Sequence, residues 1–423
     1  MKLSQLSDYI QESEFKKELD YLYGSENSDK QIGRYQELIQ CALKDGDREA
    51  TIFSAPGRSE VGGNHTDHQL GCVLACSIDL DTIAVVVKND ENIIRYESKG
   101  FNVKPVDLSD LTMKLEEKNT TESLFRGIAN GFASRGYQYG GFDMYASSNV
   151  ILGGGMSSSA SFEVLIGTVL SHLYNNHQVS AEEIAMIGQY AENQYFLKPC
   201  GLMDQMACSV GSFVSIDFKE KGNPKVEKVD FNLDQYNYNL ILTDVKASHA
   251  DLSDAYASIP SDMKAVAKVL GHELLTEVTL EDLVKNAARI RKESSDRAFL
   301  RAYHYVNETK RAILEATALK NNDFKEFLKL VNESGQSSWM YLQNIYVPEK
   351  SEEQPVSLAL ALSKAVLKEE GASRVHGGGF AGTIQAFVPH TLKDEYISTM
   401  ESVFGKGCCY CIRIRPVGGT KLV

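Results

Sequence analysis

Apolar residues along this chain change their period several times, and each change marks an element. From Ser158 to Tyr174 the apolar positions Phe162, Leu165, Ile166, Val169, Leu170 and Leu173 recur every three or four residues, which predicts a helix. Ser180 with Glu183 has the form of a capping box, and Ile184, Ile187 and Ala191 share one face of the helix it opens, which ends before Pro199. Runs rich in β-branched residues predict strands at Cys72 to Asp79, Thr82 to Lys88, Val214 to Phe218, Leu240 to Val245 and Thr383 to Val388. Gly141 to Ala146 and Cys409 to Arg415 read the same way, and Thr51-Ile-Phe-Ser opens the β-rich stretch. The first fifty residues are polar and helical, for example Gln36 to Leu43. Helices are also predicted from about Met263 to Leu330, from Val356 to Lys368, and between the last two strands. The change of character near residue 215 suggests two domains, 1–215 and 216–423.

The breaks between these elements carry the chemistry. In Gly153-Gly-Gly-Met-Ser-Ser-Ser-Ala160 the glycines Gly153, Gly154 and Gly155 let the backbone approach a bulky anion. The helix that follows offers free N–H groups and a positive dipole end. Ser157, Ser158 and Ser159 add hydroxyls, one of which can ligate a hard cation such as Mg²⁺. No Gly-Lys-Ser/Thr follows, so this is not a Walker A loop, and a tight turn with an N-cap serine would look similar. Ala55-Pro-Gly-Arg58 runs into Gly62-Gly-Asn-His-Thr-Asp-His68, an arginine beside a cluster of donors and acceptors suited to a polyhydroxyl ligand. A polar loop is the plain alternative. Chelation by His65 and His68 would need a helix that the flanking glycines disfavour. Pro199-Cys-Gly-Leu-Met-Asp-Gln205 sets Asp204 at a helix start after a Pro/Gly break, with Glu192 on the preceding helix as a second carboxylate. Ser373-Arg-Val-His-Gly-Gly-Gly-Phe-Ala-Gly382 is a second glycine-rich turn, read as a helix-to-strand connection needing positive φ.

Composition narrows the partners. The chain has 423 residues, 43% hydrophobic and 24% charged, enough to form a core without disulfides. The net charge is −13 and no Lys/Arg-rich run stands out, which argues against nucleic acid. An acidic chain that binds phosphate must gather positive potential locally. No stretch approaches a membrane span, and the start lacks a signal-peptide core. Only Cys408 and Cys411 among the eight cysteines have C-x-x-C spacing, so buried thiols in a cytoplasmic protein are expected.

Together and in this order, the four motifs resemble those of the GHMP kinases, and among them the galactokinases. Ala55 to Gly71 looks like the N-terminal motif, Gly153 to Ala160 like the phosphate-binding motif, Cys200 to Gln205 like the segment with the catalytic Asp, and Ser373 to Gly382 like the C-terminal glycine motif. Asp244 to Tyr256 is more weakly similar to the segment with a sugar-contacting Tyr. The resemblance spans roughly residues 50 to 415. It implies an α+β protein with a ribosomal-S5-like N-terminal domain, a ferredoxin-like C-terminal domain and the active site between them. It implies ATP-dependent phosphorylation of D-galactose at the anomeric hydroxyl with Mg²⁺. By motif position, Asp204 would be the base and Arg58 its neighbour. Gly153 to Gly155 and Ser157 to Ser159 would cradle ATP, and Ser159 and Glu192 would hold Mg²⁺. Asn64, His65, Asp67, Gly201 and Tyr256 would line the sugar. Some positions depart from the pattern. Asn64 stands where galactokinases usually have Glu, His68 where they have Tyr, and Ile151 where they have Pro. The Asn64 change matters most, because a charge-assisted hydrogen bond is worth more than a neutral one. Kinases of N-acetylgalactosamine or arabinose, and a non-catalytic sugar and ATP sensor, are the alternatives. No nucleic-acid or membrane partner is expected; the oligomeric state is open, with a monomer favoured.

Overall fold

The computed structural model describes residues 1–151, 155–246 and 252–423. The strands are β1 (Thr51–Gly62), β2 (Cys72–Lys88), β3 (Ile93–Ser98), β4 (Val106–Asp107), β5 (Phe142–Ser148), β6 (Phe213–Asp217), β7 (Lys225–Val229), β8 (Tyr238–Asp244), β9 (Ala372–Val375), β10 (Thr383–Pro389), β11 (Cys409–Ile412) and β12 (Thr420–Lys421). The first helices are α1 (Leu3–Tyr9), α2 (Ser13–Tyr23), α3 (Ser28–Leu43), α4 (Thr121–Ser134), α5 (Ser158–Tyr174), α6 (Ala181–Ala191) and α7 (Met203–Val210). The later ones are α8 (Ser253–Val269), α9 (Leu280–Lys285), α10 (Ala287–Glu293), α11 (Asp296–Lys320), α12 (Phe324–Ser337), α13 (Pro355–Leu367) and α14 (Lys393–Phe404).

Among the described residues the larger sheet runs β12–β1–β2–β5–β3–β4, with β6 and β7 added along β2. The sequence predicts two strands between Cys72 and Lys88, but β2 is continuous. Its first part pairs with β6 from Cys72 to Cys76, its last with β5 from Thr82 to Lys88, and β1 spans both. The apolar faces of α4, α5 and α6 cover one side of the sheet through Phe125, Ile128, Leu165, Ile166 and Ile187. On the other side lie the first fifty residues. In α2 and α3 the buried positions Phe15, Leu19, Leu22 and Tyr35, Leu38, Ile39 fall three or four apart and pack onto Ile52, Ile83 and Val85.

The second sheet is antiparallel, in the order β11–β8–β10–β9, with α13 and α14 packed on it. α11 and α12 fill the space between the sheets, bringing Leu319, Phe327 and Val331 against Leu74 and Phe213 on one hand and Leu240 and Phe387 on the other. The segment Ser373 to Gly382 is therefore a strand-loop-strand connection between β9 and β10, not a helix-to-strand one; Gly377, Gly379, Phe380 and Gly382 all have positive φ. Residue 215 falls inside β6, which pairs with β2 in the first sheet, as β7 extends it. We place the domain division after β7, with the C-terminal β12 returning to β1.

Candidate active site

Arg58 sits where the β1–β2 register shifts between Pro56 and Arg58, an irregularity of the kind that re-aims a side chain. It is buried. Its Nε and Nη2 donate to Asp204 Oδ1 and Oδ2 at 2.8 and 2.9 Å, a two-pronged ion pair, and Nη1 donates to the Gly155 carbonyl. Asp204 is the second residue of α7, where the helix dipole favours a carboxylate. It also accepts from Ser157 Oγ. Burial pushes the Asp204 carboxyl up, but the Arg58 charge and the hydrogen bonds from Arg58 and Ser157 outweigh it and hold the carboxyl below its usual range.

Ser157 precedes α5 in the left-handed conformation, φ 57° and ψ 59°, and makes no side-chain cap. Ser158 and Ser159 are the first residues of α5. The glycine loop is strapped to β1: the Arg58 N–H donates to the Met156 carbonyl at 3.1 Å, and a Cβ on Gly57 would lie 2.7 Å from that oxygen. Gly153 and Gly154 lie outside the described residues.

Glu192 is buried at the start of a π turn, Glu192–Phe196, that continues α6. Its Oε1 meets Ser159 Oγ at 3.2 Å and Lys198 Nζ at 3.0 Å. Its Oε2 accepts from Gln205 Nε2 at 2.9 Å, and the same amide donates to Glu163 Oε2 at 2.9 Å. Glu163 is fully buried, and burial followed by the charge of Glu192 pushes its carboxyl well above the usual range. Sequence reasoning did not single out Glu163, Lys198 or Gln205. A signal existed for Glu163, a charged residue on the apolar side of the α5 pattern.

The loop between β9 and β10 gathers the remaining candidates. His65, at φ 57°, donates from Nε2 to the Gly378 carbonyl at 2.9 Å, and burial lowers its pKa to about 4, so the ring is neutral. Tyr256 donates to the Gly379 carbonyl at 3.1 Å and stands edge-on to Phe380. Asp67 reaches the α6–α7 connection, where a Cβ on Gly201 would lie 2.1 Å from Asp67 Oδ2. Asn64 is fully buried. Its Nδ2 donates to Glu60 Oε1 at 2.8 Å and the Gly377 carbonyl at 2.7 Å, and its Oδ1 accepts from Asn344 at 2.8 Å and Ser338 at 3.3 Å. With donors and acceptor occupied, it braces the sugar-motif loop against the C-terminal half. α11 adds to that brace, unpredicted: His304 bonds the Asn64 carbonyl at 2.9 Å and Glu308 accepts from the Gly63 N–H at 3.1 Å.

Residues 123–212 match the model of the GHMP kinases N terminal domain, and residues 44–88 match the galactokinase galactose-binding signature. Together these two matches span 135 of the 423 residues, so the likeness to the GHMP kinases rests on the N-terminal part of the chain. The chain is similar in fold to the Lactococcus lactis galactokinase solved with galactose, at a TM-score of 0.77 and 23% identity, over 92% of this chain and 99% of that one. It is also similar to the Methanococcus jannaschii mevalonate kinase, at 0.60 and 14% over 86% and 98%, and to the Streptococcus pneumoniae phosphomevalonate kinase, at 0.59 and 12% over 84% and 96%. At these identities the likeness carries the fold.

GHMP kinases act on ATP, and the donor set here fits the magnesium that would accompany it. Two hard oxygens, Glu192 Oε1 and Ser159 Oγ, converge, and the Lys198 ammonium already stands against the first of them as a cation. Among the described residues no group of three His, Cys, Asp or Glu could hold a metal unaided, so the remaining ligands would be phosphate and water oxygens. No helix among the described residues is long and apolar enough to cross a membrane. A polar cleft of about 920 Å³ between α2, the β7–β8 connection and β11 involves none of these residues.

Proposed function

We propose that this protein is a GHMP kinase that transfers the terminal phosphoryl group of ATP to the anomeric hydroxyl of D-galactose. The observation that carries the proposal is the Arg58–Asp204–Ser157 cluster at the joint N-termini of α5 and α7, beside the loop that matches the galactose-binding signature. Asp204, held ionised, accepts the proton of the sugar hydroxyl as its oxygen bonds to phosphorus and the bond to ADP breaks. A carboxylate held this low is a weak base, so its main work is to orient the hydroxyl and take the proton late. Arg58 fixes that carboxylate and stands ready for charge on the transferring phosphoryl. The first N–H groups of α5 face anionic oxygens. Glu192 and Ser159 would hold Mg²⁺, which neutralises phosphate charge when bound. His65, Asp67, Gly201 and Tyr256 form the sugar side. The chain is taken to act in the cytoplasm as a sugar 1-kinase.

One observation favours a second substrate. Because Asn64 is buried and fully bonded, that position offers a ligand no carboxylate, and a sugar differing at the group it would have met, N-acetylgalactosamine or L-arabinose, is the competing acceptor. Turnover of D-galactose, N-acetylgalactosamine, L-arabinose, glucose and mevalonate with ATP and Mg²⁺ tests both. Preference for galactose, lost in Asp204→Asn, supports the proposal. Preference for another sugar moves the substrate but keeps the chemistry. Binding of sugar and ATP without turnover of any acceptor overturns the kinase in favour of a sensor.

A further inference from the structure

The candidate cation site already has a charge in it. Lys198 Nζ lies 3.0 Å from Glu192 Oε1, the same oxygen that Ser159 Oγ meets. Glu192 is 3% exposed but the Lys198 side chain is 59% exposed, so the ammonium reaches the carboxylate from the solvent side and keeps its freedom to move. Its backbone does not share that freedom. Leu197 takes the left-handed conformation, φ 62°, and the Lys198 N–H donates back to the Glu192 carbonyl at 3.1 Å. The lysine is therefore tethered to the turn that presents its partner. Its charge also helps hold down Asp204. Lys198 thus pairs with the carboxylate suited to a metal and acts by its charge on the carboxylate suited to a base.

An ammonium and a divalent ion cannot share one carboxylate oxygen without strong repulsion. We propose that Lys198 occupies the cation position of the nucleotide-free protein. When the divalent ion arrives with ATP, the lysine gives up Glu192 and turns its ammonium to the oxygens of the terminal phosphate. A compact charge on a flexible stem suits this exchange better than a planar guanidinium would. The inference rests on the proposed phosphoryl-transfer function, but its test needs no turnover.

The test is Lys198→Met, a change at a largely exposed side chain, in the full chain. Mn²⁺ binding to the nucleotide-free protein, read by electron paramagnetic resonance, should tighten about tenfold relative to wild type, and Glu192→Gln in the same background should remove the gain. The calorimetric preference for ATP over ADP, each with Mn²⁺, should fall about tenfold, because ADP lacks the terminal phosphate that the ammonium would meet. Unchanged Mn²⁺ affinity, or equal effects on ATP and ADP, overturns the proposal. If the wild type phosphorylates no sugar, the proposed function fails, but these binding measurements still decide the role of Lys198.

Discussion

Arg58 and Asp204 are 146 residues apart in sequence, and two hydrogen bonds join them. Removing either partner exposes what the pair does. Asp204→Asn keeps the shape of the site but removes the proton acceptor, and turnover should fall by about 10²–10⁴ while the melting temperature changes little. Arg58→Met removes the largest influence that lowers the Asp204 carboxyl. The Asp204 pKa then rises, and the acidic limb of the kcat/KM profile should move up by about one to three pH units. An acidic limb that stays in place would mean that Asp204 does not govern it. Glu315 makes a different prediction. It is fully buried against Gly62, neither carboxylate oxygen has a partner, and burial followed by the charge of Glu308 raises its pKa well above normal. The folded state therefore binds a proton that the unfolded chain releases above about pH 4, and stability from this site falls as pH rises. Glu315→Met should stabilise the protein by about 1 kcal/mol or more at pH 8, with the gain vanishing near pH 4, as urea unfolding would read.

Elements meet at the site through their ends. β1 supplies Arg58 and leads into the sugar-motif loop, the α5 start supplies Ser157 and Ser159, the α6–α7 connection supplies Glu192, Lys198 and Gly201, and the start of α7 supplies Asp204. The β9–β10 loop closes the far side through Gly377, Gly378 and Gly379. Contacts between these ends have no slack. Gly201→Ala would drive a Cβ into Asp67 Oδ2, so the Asp67 carboxylate must turn from its place. Sugar KM should rise at least about tenfold with ATP affinity nearly intact, since such misplacement is felt by the group it touches. Equal losses in sugar and ATP binding would mean that the whole cleft, not the Asp67 loop, had moved.

Across the whole molecule, one buried network ties the N-terminal helices, the large sheet and the last residues of the chain together. Asp81 on β2 accepts from Arg34 on α3 at 2.8 Å, from Arg415 near the C-terminus at 3.1 Å, and from Tyr23 and Ser54. Asp81 and Arg415 are fully buried. Arg415→Met leaves Asp81 with Arg34 as its remaining cation, and should cost about 3 kcal/mol of unfolding free energy. The Asp81 carboxyl is held below its usual value against burial, so its stabilising part is present above about pH 4 and lost as pH falls further. The cost of the substitution should shrink in acid accordingly. Much of this protein was legible without coordinates. Ser158–Tyr174 is a helix because its apolar period demands one, and β10 a strand because its β-branched run does. The glycine motifs suggested phosphate chemistry, because close backbone approach to an anion needs glycine. Local rules act over a few residues, and these features lie within their reach. They could not show that β2 is one strand, since its length depends on β5 and β6 as separate partners, nor that the first fifty residues pack on the back of the sheet. They offered Asn64 as a ligand group because an amide in a polar loop is usually free. Tertiary structure alone decided that Asn344, Gly377 and Glu60 would bond its side chain, that Glu163 would be buried beside Glu192 on a shared Gln205 amide, and that Lys198 would reach the Glu192 carboxylate. Each of those outcomes depends on which distant residue folds back into hydrogen-bonding range, and that is set by the packing of two sheets, not by the period of any segment.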